Sequence, residues 1–138
     1  MMLAPATHPD SEAMLIGWLA DRLTGVRVVA DLPTDLEDVL PVVQVTGVSG
    51  ATGNRGWNGH RWLTSSPRFD LDAYASTRAD ASDLCRTVQA WLAMLPGSTV
   101  GGAVVAQVTE ELGPDRRPDY NTRVSRYGAT YALLIRPA

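Results

Sequence analysis

The sequence predicts an α+β domain: an antiparallel or mixed β-sheet with two helices packed on one side, in the order α-β-β-β-α-β-β, with a long glycine-rich loop between the second and third strands. Three observations predict it. Two stretches, one after Asp10-Ser11 and one after Thr77, carry apolar residues at helical spacing. Around them lie β-branched or alternating segments bounded by Gly, Pro and Asp, the pattern of strands. A chain of 138 residues has room for one unit at roughly 100 to 200 residues per domain, so residues 1–138 are taken as a single domain. Two helices on one face of one sheet are the simplest way for these elements to bury their apolar sides.

In order, the first helix follows Pro9-Asp10-Ser11, where Asp10 or Ser11 can cap exposed N–H groups. Leu15, Trp18, Leu19 and Leu23 form its inner face, and Gly25 stops it. Residues 26–29 are a short β-branched strand, broken by Asp31-Leu32-Pro33-Thr34-Asp35. Residues 40–48 form a second strand, with Pro41 at a first or edge position that tolerates a missing donor. From Gly47 to Gly59 every third residue is glycine, but no proline lies among them as collagen would require, so 47–63 reads as an extended loop. After Pro67, alternation places Phe69, Leu71, Ala73 and Ala75 on one face and Arg68, Asp70, Asp72 and Tyr74 on the other. Thr77-Arg78-Ala79-Asp80 resembles a capping box. The helix it opens carries the stripe Ala81, Leu84, Cys85, Val88, Leu92 and Leu95, with Trp91 at the edge, and ends at Pro96-Gly97. Two strands follow. The first covers about 102–112 with Val104, Ala106 and Val108 inward; the second covers about 122–136 with Tyr127, Ala129, Tyr131, Leu133 and Ile135 on one face, and 113–119 is a polar turn between them.

Fifteen acidic against twelve basic residues leave a net charge of −3, which disfavours a basic nucleic-acid-binding domain. All twelve basic residues are arginine; interface chemistry and the coding bias of a GC-rich genome explain this equally well. Cys85 is the only cysteine, so neither an intrachain disulfide nor a cysteine-based zinc site can form. The start lacks the apolar run of a signal peptide, and no stretch approaches the roughly 20 apolar residues of a membrane span, so a soluble, non-secreted product without membrane partners is expected.

Catalysis finds no support in the residue pattern. His8 and His60 lie in a proline-containing tail and a glycine loop, and Cys85 sits on an apolar stripe. No nucleophile, base and orienting group are therefore held together, and no catalytic, metal-ligating or cofactor-binding residue is expected. Asp70 and Asp72 share a strand face with Cβ atoms about 7 Å apart, a separation open to paired carboxylates or a divalent metal. Alternation with Arg68 and Tyr74 instead favours an ion-paired, solvated or subunit-facing surface. In the loop, Arg55, Trp57, His60, Arg61 and Trp62 interleave cations with aromatics, as single-stranded nucleic-acid binders do. The acidic total and the missing Gly-Lys-Ser/Thr ending argue against nucleotide or nucleic-acid binding, and Trp with Arg are equally the anchors of protein interfaces.

The capped first helix, the Leu-Pro-Val-Val-Gln-Val strand at 40–45, the long following loop, the Phe-Asp-Leu-Asp-Ala-Tyr-Ala strand running into Thr77-Arg78-Ala79-Asp80-Ala81 and the closing strand pair together resemble the tail terminator (tail completion, minor tail) proteins of long-tailed bacteriophages. The resemblance spans nearly the whole chain. It implies a structural virion protein without enzymatic activity or cofactor. Such a protein forms a hexameric homo-oligomeric ring that caps the head-proximal end of the tail tube, ends tail polymerisation and offers a surface to the head–tail connector or neck. Its partners would be the tail tube protein and the neck protein, with DNA passing through the ring without sequence-specific binding. Its location would be the virion tail, after assembly in the host cytoplasm. Within that expectation Arg68, Asp70, Asp72, Tyr74 and Arg126 are the candidate subunit interface, and Arg55, Trp57, His60, Arg61 and Trp62 the candidate docking loop. The runner-up is another neck or head-completion protein; a small nucleic-acid-binding module or an enzyme using His60, Asp70 and Asp72 is the reading from a different class.

Overall fold

A computed structural model of the chain describes residues 9–52 and 64–137. The elements are α1 (Ser11–Arg22), β1 (Arg27–Val29), β2 (Val42–Thr52), β3 (Ser65–Ala75), α2 (Arg78–Leu92), β4 (Thr99–Val100), β5 (Ala103–Arg116) and β6 (Ser125–Pro137), with a 3₁₀ turn at Leu36–Asp38. This is the expected α+β order with one two-residue strand, β4, added. The six strands form one mixed sheet in the order β1-β2-β3-β6-β5-β4, in which only the β1–β2 pair is parallel.

Both helices begin where their side chains can satisfy orphan N–H groups. The Asp10 carboxylate accepts from the Ala13 N–H at 3.1 Å, and the Thr77 hydroxyl from the Asp80 N–H at 3.1 Å. Gly25, at φ +75°, turns the chain out of α1, and Gly97, at φ +87°, follows α2. The helices lie on the same sheet face. Leu15, Trp18 and Leu19 of α1, Cys85, Val88 and Leu92 of α2, and Leu95 just beyond it meet Val43, Val45, Phe69, Leu71, Ala73, Ala129, Tyr131, Leu133 and Ile135 in one buried cluster. Trp91 takes the edge position, half-buried and edge-on to Trp18 with ring centroids 6.4 Å apart, and the Arg22 guanidinium stacks 4.0 Å over Trp18.

Three expectations are corrected. β2 runs past Val48 to Thr52, so residues 47–52 of the segment read as loop belong to the sheet; residues 53–63 lie outside the described residues. Glycine triplets suggested a loop, but pairing with β3 supplies the hydrogen bonds that make those residues a strand, with one extra residue between Val48 and Ala51. That bulge lies across from Pro67, which β3 accommodates inside its span rather than at its start. Next, β5 turns Ala103 and Val105 inward, while Val104 is half-buried and Ala106 exposed. A bulge between Val105 and Gln107 then shifts the phase by one, and Val108 returns to the core side. Finally, β5 extends through Gly113-Pro114-Asp115 to Arg116, where a turn was expected, because β6 keeps offering pairing partners as far as Tyr127.

Candidate assembly surface

The helix-free face of the sheet carries Arg68, Asp70, Asp72 and Tyr74 from β3, as strand alternation requires. Alternation sets the face but not the cover, and the strip divides into two halves. At the Tyr74 end, the segment between β1 and β2 folds across the sheet. Leu32, Leu36, Val39 and Leu40 pack with Val42, Tyr74 and Val124 in a second small core. Glu37 of this segment accepts from Asn121 Nδ2 at 2.6 Å and pairs with Arg123 at 3.4 Å, clasping it to the β5–β6 turn. Tyr74 and Asp72 are consequently buried, each 2% exposed, where a solvated or subunit-facing strip was expected. At the other end Arg68 and Asp70 stay at the surface, and Arg68 pairs with Glu111 of β5.

Burial of Asp72 is matched by two cations of the same chain. Arg117 Nη1 donates to its Oδ1 at 3.0 Å, and Arg126 reaches Oδ1 through Nε at 3.1 Å and Oδ2 through Nη2 at 3.1 Å. The other arm of Arg117 lies 3.6 Å from Asp70 and donates to the Thr130 hydroxyl at 3.3 Å, while that hydroxyl donates in turn to Asp70. Two carboxylates thus face two guanidinium groups, a locally neutral network. Burial opposes the charge on Arg126, but the hydrogen bond and charge of Asp72 more than offset it and raise its pKa. Tyr74 donates to Gln44 Oε1 at 3.4 Å, with Arg126 stacked 5.6 Å over its ring, and burial pushes its phenol up to about 12. These carboxylates are occupied by arginines, which suits a fastener between the β5–β6 turn and the sheet rather than proton transfer.

Arg117 and Thr130 were not among the expected site residues. One signal for them is Gly128, the single glycine of the last strand, paired with Asp72. A Cβ on Gly128 would collide with the Asp72 carboxylate and the Arg117 guanidinium, so glycine here marks a close approach over the sheet. Arg126 stands where expected, on the helix-free face, but its partner is Asp72 of its own chain. The expected docking residues Arg55, Trp57, His60, Arg61 and Trp62, like His8, lie outside the described residues.

Elsewhere, Cys85 is buried in the main core, which pushes its thiol up to about 11. A cleft of about 590 Å³ opens between the end of α2 and β5, lined in part by Leu92, Pro96, Val108, Glu110 and Tyr131, because two helices do not reach across the whole sheet. There Glu110 Oε1 accepts from Gln89 at 2.7 Å and from the Tyr131 hydroxyl at 3.0 Å. Burial, foremost, and that bond raise the pKa of Tyr131, which stays protonated. Among the described residues no group of three or more His, Cys, Asp or Glu side chains is placed to hold a metal ion, and no helix is long and apolar enough to cross a membrane.

No family model matches the chain, and no curated protein matches it. Among solved structures, a chain of a particle described as "Virion of native gene transfer agent (GTA) particle" is 13% identical, with a TM-score of 0.48, over 91% of this chain and 87% of that chain. A likeness of this degree leaves function to be argued from the residues themselves.

Proposed function

We propose that the chain is a structural protein of a phage-like virion, and more specifically a tail terminator: a subunit of a hexameric ring that caps the head-proximal end of the tail tube and joins it to the neck. The observation that carries this reading is the element order. The resemblance to tail terminators rests on a helix, three strands, a helix and a strand pair, and the chain folds in that order with both helices on one face. The polar chemistry supports a non-enzymatic role. Asp70 and Asp72, the residues an active site would have used, are held by Arg117, Arg126 and Thr130 and serve to fasten the fold. Arg68 and Asp70 remain accessible as interface residues, whereas Asp72, Tyr74 and Arg126 act from beneath by holding the β5–β6 turn in place. Arg55, Trp57, His60, Arg61 and Trp62 are proposed contacts to the tube or a neighbouring subunit, with the two tryptophans as anchors.

The test is location. Antibody labelling of purified particles is expected to mark the head–tail junction, and a null mutant to yield tails of uncontrolled length that do not join heads. Labelling at the tail tip or within the capsid, or normal particles from the null mutant, would overturn the assignment; labelling of the neck with normal tail length would favour a head-completion protein.

A further inference from the structure

Among the described residues, the two edges of the sheet are open over the same stretch and in complementary directions. β1 covers β2 only at residues 42–44, and β4 covers β5 only at 103–104, with Ser98 continuing to Val105. No described strand lies outside β2 at 45–52 or outside β5 at 106–116. Three rows of paired residues cross the four central strands from one open edge to the other: Thr46-Asp70-Thr130-Leu112, Gly47-Phe69-Tyr131-Glu110 and Val48-Arg68-Ala132-Thr109. Since β2, β3, β6 and β5 are successively antiparallel, β2 and β5 run in opposite senses. A copy of the chain rotated about an axis along the strands, without translation, therefore brings its 45–52 edge antiparallel to 106–113 of the first, rows in line.

We infer that copies of this chain join edge to edge, β2 of one onto β5 of the next, as one continuous sheet. The contact is heterologous, so repetition closes a ring when the rotation closes; in this it rests on the ring reading above. Side chains support a second copy as the occupant. Glu110, Glu111, Asp115 and Arg116 put charge along the β5 edge, as is common for exposed edges, but Val48 on β2 and Leu112 on β5 are 36% and 60% exposed, on the same helix-free face and in neighbouring rows of that face. In the joined sheet they become diagonal neighbours across the new strand pair, a spacing of about 7 to 8 Å that long side chains bridge. The bulges at 48/51, 105/107 and 110/112 bend both edges, as a sheet must bend to follow a ring. The cleft beside β5 lies on the helix side of this joint, next to where the helix layer of the second copy would continue.

Charge substitution tests the pairing without touching the core. Val48→Glu places an anion on the helix-free face beside Glu111 of the neighbour, and Leu112→Arg sets a charge against the neighbour's Val48, where the joint strips it of water. Each variant alone is expected to keep the parent's melting temperature but to weaken assembly at least tenfold by sedimentation. In an equimolar mixture the two variants can alternate, so that each contact joins either the two introduced charges, which attract, or the two unaltered side chains. That mixture is expected to reassemble. Parent-like assembly of both single variants would overturn the edge pairing and leave the ring standing. A parent that stays monomeric up to millimolar concentration would also overturn it, without bearing on where the protein sits in particles. Open fibres of the parent, abolished by the same substitutions, would keep the pairing and overturn the ring.

Discussion

At the scale of single residues, Asp72 ties two segments to the sheet, because it is buried against two guanidinium groups, Arg117 beyond β5 and Arg126 of β6. Removing one partner of a buried pair leaves an unpaired charge, so Asp72→Ala is expected to cost about 3 to 5 kcal/mol by urea denaturation. Gly128→Ala inserts a methyl group where Asp72 and Arg117 meet and should cost about 1 to 3 kcal/mol, with part of the loss absent when Asp72 is already alanine and the Arg117 contact remaining. Burial also sets the alkaline limit. Cys85 ionises near 9 in the unfolded chain and near 11 in the fold, and Tyr74 near 10 and near 12. Both folded values are raised, so their contribution is fully present below pH 9 and is lost as pH climbs toward 12. Urea midpoints should fall across that window; Tyr74→Phe is expected to lessen the fall above pH 10, to which the raised Tyr131 also contributes, and Cys85→Ala the part starting at 9.

Among the elements, the helices were the most legible, because each carries its own cap, its own stripe and its own stop. Leu92 is buried and Trp91 half-buried, as the 3.6-residue period requires. Leu92→Ala is expected to cost about 2 to 5 kcal/mol in chemical denaturation, while Asp10→Ala, which loses a cap, should cost about 1 kcal/mol. β5 was less legible. Val104, Ala106 and Val108 alternate in sequence, but the bulge at Ala106 breaks the period, and nothing local separates a bulged strand from a regular one. The same limit hid β4 and the extension of β2 through Gly47 and Gly50: such short or glycine-rich strands exist because a partner is present, not because their residues favour extension.

Over the whole molecule, the two sheet faces have different covers, helices on one and connecting segments on part of the other. The exposed remainder, with Arg68, Asp70, Val48 and Leu112, is where partners have access. If Trp57 and Trp62 anchor the chain to the tube, Trp57→Ala with Trp62→Ala should leave the melting temperature of the isolated protein nearly unchanged while producing tails that fail to join heads, as scored by electron microscopy and plaque assay. A fall in melting temperature with normal particles would assign both tryptophans to the fold instead.

Periodicity and capping by themselves determined the helix count, the faces of β3 and β6 and the inner residues of both helices, because those depend on the chain's own geometry over one or two turns. The same alternation placed Arg68, Asp70, Asp72 and Tyr74 on one face. Only the tertiary structure decided that Asp72 and Tyr74 are buried, since their cover comes from residues 32–40 and from Arg117, distant in sequence. It likewise decided which edges stay open among the described residues, because an edge is defined by the strand that fails to cover it. Local pattern reports what a residue offers, and burial and pairing depend on what the rest of the chain brings to meet it.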